Sequence, residues 1–336
     1  MNGYRVETIK DKIDRLPIIA VKDGIVISSS ADQADDSSLP RSGQWIAEFF
    51  SSASSLVFSP NSRKSGIISL CRGRESREEL LFFDRFLSGS SDGSRVTILC
   101  GEDPTPSDMG SSMLLSSLSD QIDKTIGDIL TEGEKNSFIN RYKAISSCFR
   151  HPGMKSKKKK ASSPLHLIES LNKVYKKKFK TEPNAISTRE LSPEARRAEL
   201  FLSPEVLCAI IFLSVAFLTR CIISDPTSPG IKSHLIFEES SATLKFSAVP
   251  KDIGYFSFDS SDPLDVRKGF PSFSGEFAAL SRLCNITECE FSLSVDDKSA
   301  SLSYKFPAFI KRRRIRAYRE SESMLKFFDI LADFIL

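Results

Sequence analysis

Residues 203–225, SPEVLCAIIFLSVAFLTRCIISD, constrain the fold more than any other stretch of the chain. From Val206 to Thr219 there is no charge, and only Ser214 and Thr219 interrupt a run of Val, Leu, Ile, Phe, Cys and Ala. A membrane span needs about 20 apolar residues to cross roughly 30 Å of hydrocarbon, whereas the window between Glu205 and Arg220 reaches about 22 Å as a helix. The window is too short for a span, and a helix apolar all round is one covered on every side by its own domain. Its ends fit a helix: Ser203 as N-cap, Pro204 at the first helical position, Glu205 at the positive end of the dipole, and Asp225-Pro226 as a stop.

A core built round that helix needs a sizeable chain, and 336 residues suffice for two or three domains. The net charge of +4, from 47 basic and 43 acidic residues, is too small to demand a polyanionic partner. Seven cysteines, at 71, 100, 148, 208, 221, 284 and 289, form no CxxC pair, the pattern of buried thiols in a reducing compartment rather than a disulfide framework or zinc site. The first residues, MNGYRVETIKDKIDRL, contain no signal-peptide core, so a cytoplasmic location is expected.

Val6, Ile9, Ile13 and Leu16 recur at helical spacing, and a β-hairpin follows, with Pro17 to Val21 and Ile25 to Ile27 joined at Asp23-Gly24. A helical piece is expected at residues 45–50 and strands at 56–58, 67–70, 80–87 and 95–100, the last two joined by the turn-rich residues 88–93. Residues 1–104 thus predict a small antiparallel sheet with helices on one face. After a linker at 101–112, Leu115, Leu118, Ile122, Ile126 and Ile129 mark one helical face. A turn at Glu132-Gly133-Glu134 leads to a second helix bearing Phe138, Tyr142, Ile145 and Phe149, ended by Pro152-Gly153. Such a two-stripe hairpin, residues 105–155, pairs readily with a second copy in a four-helix bundle.

Lys155 and residues 157–160 form a basic linker. Pro164 opens an amphipathic helix through Leu167, Leu171 and Val174, and the apolar helix follows. Strands are expected at 231–237 and through Leu244, Phe246 and Ala248, then a helix capped by Ser274 through Phe277, Leu280 and Leu283. Phe291, Leu293 and Val295 pair across Asp296-Asp297 with Leu302, Tyr304 and Phe306. Residues 163–310 therefore predict helices on one face of a mixed sheet. Residues 318–336 add a helix whose wide apolar face carries Leu325, Phe328, Leu331 and Ile335, with Phe327 and Phe334.

This order, an α+β multidomain chain of α/β domain, helical hairpin and terminal α/β sandwich, resembles a sensor histidine kinase. IDRLPIIAVKDGIVISSSADQA looks like the opening of a PAS-type sensor domain, and LSDQIDKTIGDI like the helix bearing the phosphoacceptor histidine. SPEVLCAIIFLSVAFLTR resembles the helix that carries the magnesium-binding asparagine. SGEFAALSRLC with the hairpin at 290–306 resembles the close of the GHKL-type ATPase domain.

The resemblance implies chemistry that these residues do not supply. The phosphoacceptor position holds Asp120, and His151, His166 and His234 all lie off that helix. Asp123 and Asp128 are not spaced to hold a metal with Asp120, whose plainer assignment is solvated surface. The asparagine position holds Val215, with Ile211 a turn earlier, and neither coordinates a hard cation. Asp252 and Gly254 are at most a shifted remnant of the adenine-binding Asp-Gly motif, and Gly275 is what remains of the glycine-rich lid. The expectation is a protein with no catalytic, cofactor-binding or metal residues: a pseudokinase in signal transduction, homodimeric through its hairpin, with a signalling protein as partner. The alternative is a divergent ATP-binding histidine kinase. A nucleic-acid or membrane-surface role through Lys155–160, Lys176–180 and residues 311–319 lacks an aromatic reader motif. The Cys284 and Cys289 pair fits core thiols better than ligands.

Overall fold

The computed structural model describes residues 16–32, 39–48, 64–72, 77–87, 95–101, 111–149, 161–179, 186–189, 191–219, 230–249, 258–260, 274–296, 299–311 and 322–335. The chain divides into two compact units, Met1–Lys155 and Ser156–Leu336. The first unit includes residues 105–155 and the second residues 318–336. Expectations for residues 1–15, 49–63, 88–94, 102–110, 150–160, 220–229 and 250–257 fall outside the described residues.

The first unit is built on strands β1 (Ile18–Lys22), β2 (Ile25–Ser29), β3 (Ser65–Arg72), β4 (Arg77–Leu87) and β5 (Arg95–Gly101). They pair antiparallel in the order β2-β1-β5-β4-β3. The expected hairpin turns at Asp23-Gly24, both with positive φ (52° and 81°), which the short aspartate and the glycine tolerate. The helix expected at 45–50 is, where described, a single 3₁₀ turn, Ile46–Glu48.

Cross-strand register sorts the sheet into two faces. Ile19, Leu99, Phe83, Leu81 and Ile68 share one core cluster with Val26, Ala31, Leu39 and Ile46. The opposite face carries Ile18, Cys100 and Phe82 and is covered by helices α1 (Ser111–Ile126) and α2 (Glu132–Ser146). Phe82 meets Tyr142 edge-on at 5.8 Å and Phe149 at 5.6 Å, and Phe86 meets Phe138 at 6.3 Å. A strand buried on both faces needs no alternation, which explains the unbroken LLFF of residues 80–83.

Two sequence expectations need correction here. The triplet Glu132-Gly133-Glu134 is the first turn of α2, because Thr131 closes a capping box: its side chain accepts from the Glu134 amide, and the Thr131 amide donates to the Glu134 carboxylate at 2.9 Å. The glycine signal for a turn loses to a cap that satisfies two otherwise orphaned N–H groups. Ile129, expected on the first helical face, lies beyond the end of α1 and is half-buried.

The second unit carries a six-stranded sheet ordered β10-β11-β12-β9-β8-β6. Its strands are β6 (Ile186–Ser187), β8 (Ile231–Phe237), β9 (Ala242–Ala248), β10 (Phe258–Ser260), β11 (Glu290–Val295) and β12 (Ala300–Phe306), and only β6 and β8 run parallel. A small pair, β7 (Ala198–Leu200) with β13 (Phe309–Lys311), completes the strands. Leu244, Phe246, Leu302, Tyr304 and Leu293 face a helical layer, while Lys245, Ser303 and Lys305 alternate onto the other face.

The helical layer is α3 (Pro164–Phe179), α4 (Pro204–Phe217), α5 (Ser274–Ile286) and α6 (Glu322–Ile335), and α4 touches the other three. Every residue from Leu207 to Phe217 is buried, as an all-apolar helix requires. Its start is as expected, with Pro204 in the first turn and the Ser203 hydroxyl accepting from the Val206 amide at 3.3 Å. Ser274, expected as a cap, is already the first residue of α5. On α6, Phe327, Phe328, Leu331 and Ala332 are buried, whereas Leu325 is 44% exposed, so the apolar face is narrower than its sequence suggests. Among the described residues no helix is long and apolar enough to cross a membrane.

Candidate functional site

Helix α4 is where the resemblance to histidine kinases places nucleotide chemistry. Val215 is 0% exposed and Ile211 1% exposed, packed within a helix covered on all sides. Phe212 stacks on Phe328 of α6 at 6.3 Å, and Phe217 lies 5.8 Å from Phe277 of α5. Of the two polar members of the run, Thr219 is buried with no hydrogen-bond partner for its hydroxyl among the described residues, and Ser214 is spent internally. Its hydroxyl donates to the Ile210 carbonyl at 2.6 Å and lies 2.7 Å from the Tyr304 hydroxyl, which is therefore the donor between them. Burial, with the nearby Cys284 and Cys289, pushes Tyr304 well above the usual phenol range, against the pull of Ser214. A protonated, hydrogen-bonded tyrosine in an aromatic seam, stacked on Phe291 at 5.1 Å, holds sheet and helix together and has no proton to give at neutral pH.

The other sequence-predicted positions do not converge. Asp120 is exposed on α1, and Asp123 is tied instead to Lys135 of α2 at 2.9 Å. Asp128 is exposed beyond α1, His166 lies on α3 and His234 on β8. Asp252 and Gly254 lie outside the described residues, and Gly275 is buried as the second residue of α5. Among the described residues no group of three or more His, Cys, Asp or Glu side chains is arranged to hold a metal ion. Of the basic runs, Lys311 is held by Glu194 at 2.8 Å and sits 4.7 Å over the Phe237 ring, while Lys176 and Lys177 are exposed on α3.

Two polar constellations escaped the sequence reading. Asn172 on α3 is buried and stands in for a strand partner: its amide donates to the Ile186 carbonyl at 2.8 Å and its oxygen accepts from the Ile186 N–H at 2.9 Å, fixing β6 to the helix. In the first unit Asp84 of β4 is 2% exposed, 2.5 Å from the Arg141 guanidinium of α2. Desolvation raises the Asp84 carboxyl to about 6, and Arg141, the Arg85 N–H and Lys64 only partly oppose it. The neighbouring Arg85, also buried, is lowered to about 10 by desolvation and by Arg95. The signal for this pair was present as Asp84-Arg85 inside the apolar string LLFFDRFL, a charge pair where a strand interior should have none.

No family model matches the chain, and no curated protein matches it. Among solved structures it is similar to histidine kinases. These include the blue-light activated histidine kinase of Erythrobacter litoralis, at 10% identity over 89% of this chain and 98% of that one, with a TM-score of 0.30. The histidine kinase AdeS of Acinetobacter baumannii is 14% identical over 59% of this chain and 86% of that one, also with a TM-score of 0.30. The histidine kinase ThkA, solved in complex with the response regulator TrrA, is 11% identical over 87% and 95%, with a TM-score of 0.29. Likenesses at this level say nothing of chemistry, which has to come from the chain's own side chains.

Proposed function

We propose that the chain is a non-catalytic, histidine-kinase-like signalling or scaffold protein that acts by protein interaction, with a PAS-like first unit and an ATPase-like second unit. The observation that carries this reading is Val215, fully buried in an apolar helix at the position where the resembled family presents an asparagine to magnesium. A valine and an isoleucine a turn apart offer no ligand to a hard cation, and of the two buried hydroxyls beside them Ser214 is engaged with Tyr304 while Thr219 supplies a lone neutral oxygen, too little to hold such an ion. Asp120, at the position where the resembled family carries its phosphoacceptor histidine, stands exposed on α1 and offers no imidazole nucleophile, in keeping with the same reading.

Support for the interaction half comes from Ile25, Ile27 and Trp45, which are 37%, 39% and 55% exposed. Ile25 and Trp45 are direct antiparallel partners, so their side chains share a face and make an apolar patch of the kind that partners cover. A homodimer through the hairpin belongs to the same proposal, although the apolar stripes of α1 and α2 lie on their own sheet and leave the polar outer faces, with Asp120, Asp123 and Lys124, for a second copy. The test is a calorimetric titration of the full chain with ATP and magnesium, alongside light scattering with and without nucleotide. The expected result is no saturable binding and a particle mass indifferent to nucleotide. Magnesium-dependent binding at micromolar affinity would overturn the proposal.

A further inference from the structure

Helix α5 ends in a Schellman motif built from LCNITEC. The Cys289 amide donates to the Cys284 carbonyl at 2.9 Å and the Glu288 amide to the Asn285 carbonyl at 3.4 Å, with Glu288 in the left-handed region at φ 55°. That motif brings together the third residue from the helix end and the second residue past it, a contact apolar side chains usually fill. Here both are cysteines. Both are buried, neither is in a disulfide, and the Cys289 thiol donates to the Glu290 carbonyl at 3.3 Å. The backbone that positions them is fixed by helix termination alone, so the pair is preorganised without a disulfide.

We propose that Cys284 and Cys289 form a reversible dithiol–disulfide site whose oxidant is a low-molecular-weight disulfide. The proposal is independent of nucleotide loss and rests on different residues. Cys289 is the more exposed, at 8% against 2%, and its thiolate attacks one sulfur of the oxidant. The oxidant's S–S bond breaks, and the released thiolate takes up a proton. The Cys284 thiol then loses its proton and its sulfur attacks the Cys289 sulfur of the mixed disulfide, displacing the second small thiol. Two protein S–H bonds are lost, one S–S bond forms, and the oxidant is reduced by two electrons to two thiols. The neighbouring Cys284 thiol first, and burial second, push the Cys289 thiol up, so attack is slow near neutral pH and accelerates with thiolate fraction. Such a pair stays reduced in a reducing compartment until the thiol poise shifts.

The test uses the folded full chain and glutathione disulfide, followed by acid quenching, unfolding, alkylation and trypsin. Cleavage after Arg282 and Lys298 leaves both cysteines on one peptide, residues 283–298. The expected peptide is unalkylated, lighter by two hydrogens, and restored to two alkylation sites by a reductant. Its rate of formation rises about tenfold per pH unit while pH stays below the thiol pKa. In Cys284→Ser a glutathione adduct on Cys289 should persist. Full alkylation of both cysteines in the wild type, closure only in denaturant, or a lasting wild-type adduct would each overturn the proposal.

Discussion

Replacing Asp84 by asparagine in the first unit gives the most quantitative test of how that unit is held together. The carboxyl is 2% exposed and its pKa moves from 3.8 to about 6, with desolvation outweighing Arg141. That displacement corresponds to about 3 kcal/mol of unfavourable charging in the folded state. Because the folded pKa is raised, the folded chain binds more protons than the unfolded chain between pH 3.8 and about 6. The stability this group contributes is therefore fully present below 3.8 and lost as pH rises through about 6.

The substituted amide is neutral throughout, so Asp84→Asn should be more stable than the wild type at about pH 7.5, by at most about 3 kcal/mol. The opposing effect is a buried cation left unpaired, which can cost as much. Arg141 escapes most of that cost: its side chain is 17% exposed and stands 5.7 Å over the Phe86 ring, so it keeps both water and an aromatic face. Urea unfolding read by fluorescence isolates the unit, since the single tryptophan of the chain, Trp45, lies within it. The advantage of the variant should shrink as pH falls from about 7 to about 4. A difference that is flat with pH, or that grows on acidification, would refute desolvation as the dominant force on Asp84.

Three further substitutions test local physics. Thr131→Ala removes the side-chain half of the α2 capping box, leaving the Glu134 amide without its acceptor while the residue-131 amide can still reach the Glu134 carboxylate, and should cost about 1 kcal/mol in the same fluorescence assay, with no change expected in the second unit. Glu288→Gly relieves a left-handed residue and should stabilise the second unit by about 1 kcal/mol in urea unfolding followed by circular dichroism; destabilisation would mean that the turn is not set by backbone conformation. Ser214→Ala strands the buried Tyr304 hydroxyl and should cost about 1 to 3 kcal/mol. Adding Tyr304→Phe should recover most of that loss, because both partners of the bond are then gone.

Much of this architecture was legible from periodicity. The hairpin at 18–29, the helices on Leu118, Ile122 and Ile126 and on Phe138, Tyr142 and Ile145, and the alternation through Leu244, Phe246 and Ala248 each carry the period of the element they form. The apolar run at 206–217 announced full burial because nothing polar remained to face water. Pairings between distant residues were not legible, since no local pattern encodes them. Ser214 meets Tyr304 ninety positions away, Arg141 meets Asp84 from another element, and Asn172 completes β6 with both ends of its amide. The capping box at Thr131 was readable as T-x-x-E but was outcompeted by the glycine at 133. The hairpin's two stripes were read correctly as apolar, yet sequence alone did not say that a sheet rather than a second copy would cover them.

The measurement that bears most directly on the central claim is the stability of Val215→Asn. If α4 is wholly structural at this position, the amide is buried without partners, and the second unit should lose about 1 to 3 kcal/mol in urea unfolding while gaining no ATP binding in the presence of magnesium. An unchanged stability, or a variant that acquires magnesium-dependent ATP binding, would place residue 215 at a solvated nucleotide pocket and contradict the account.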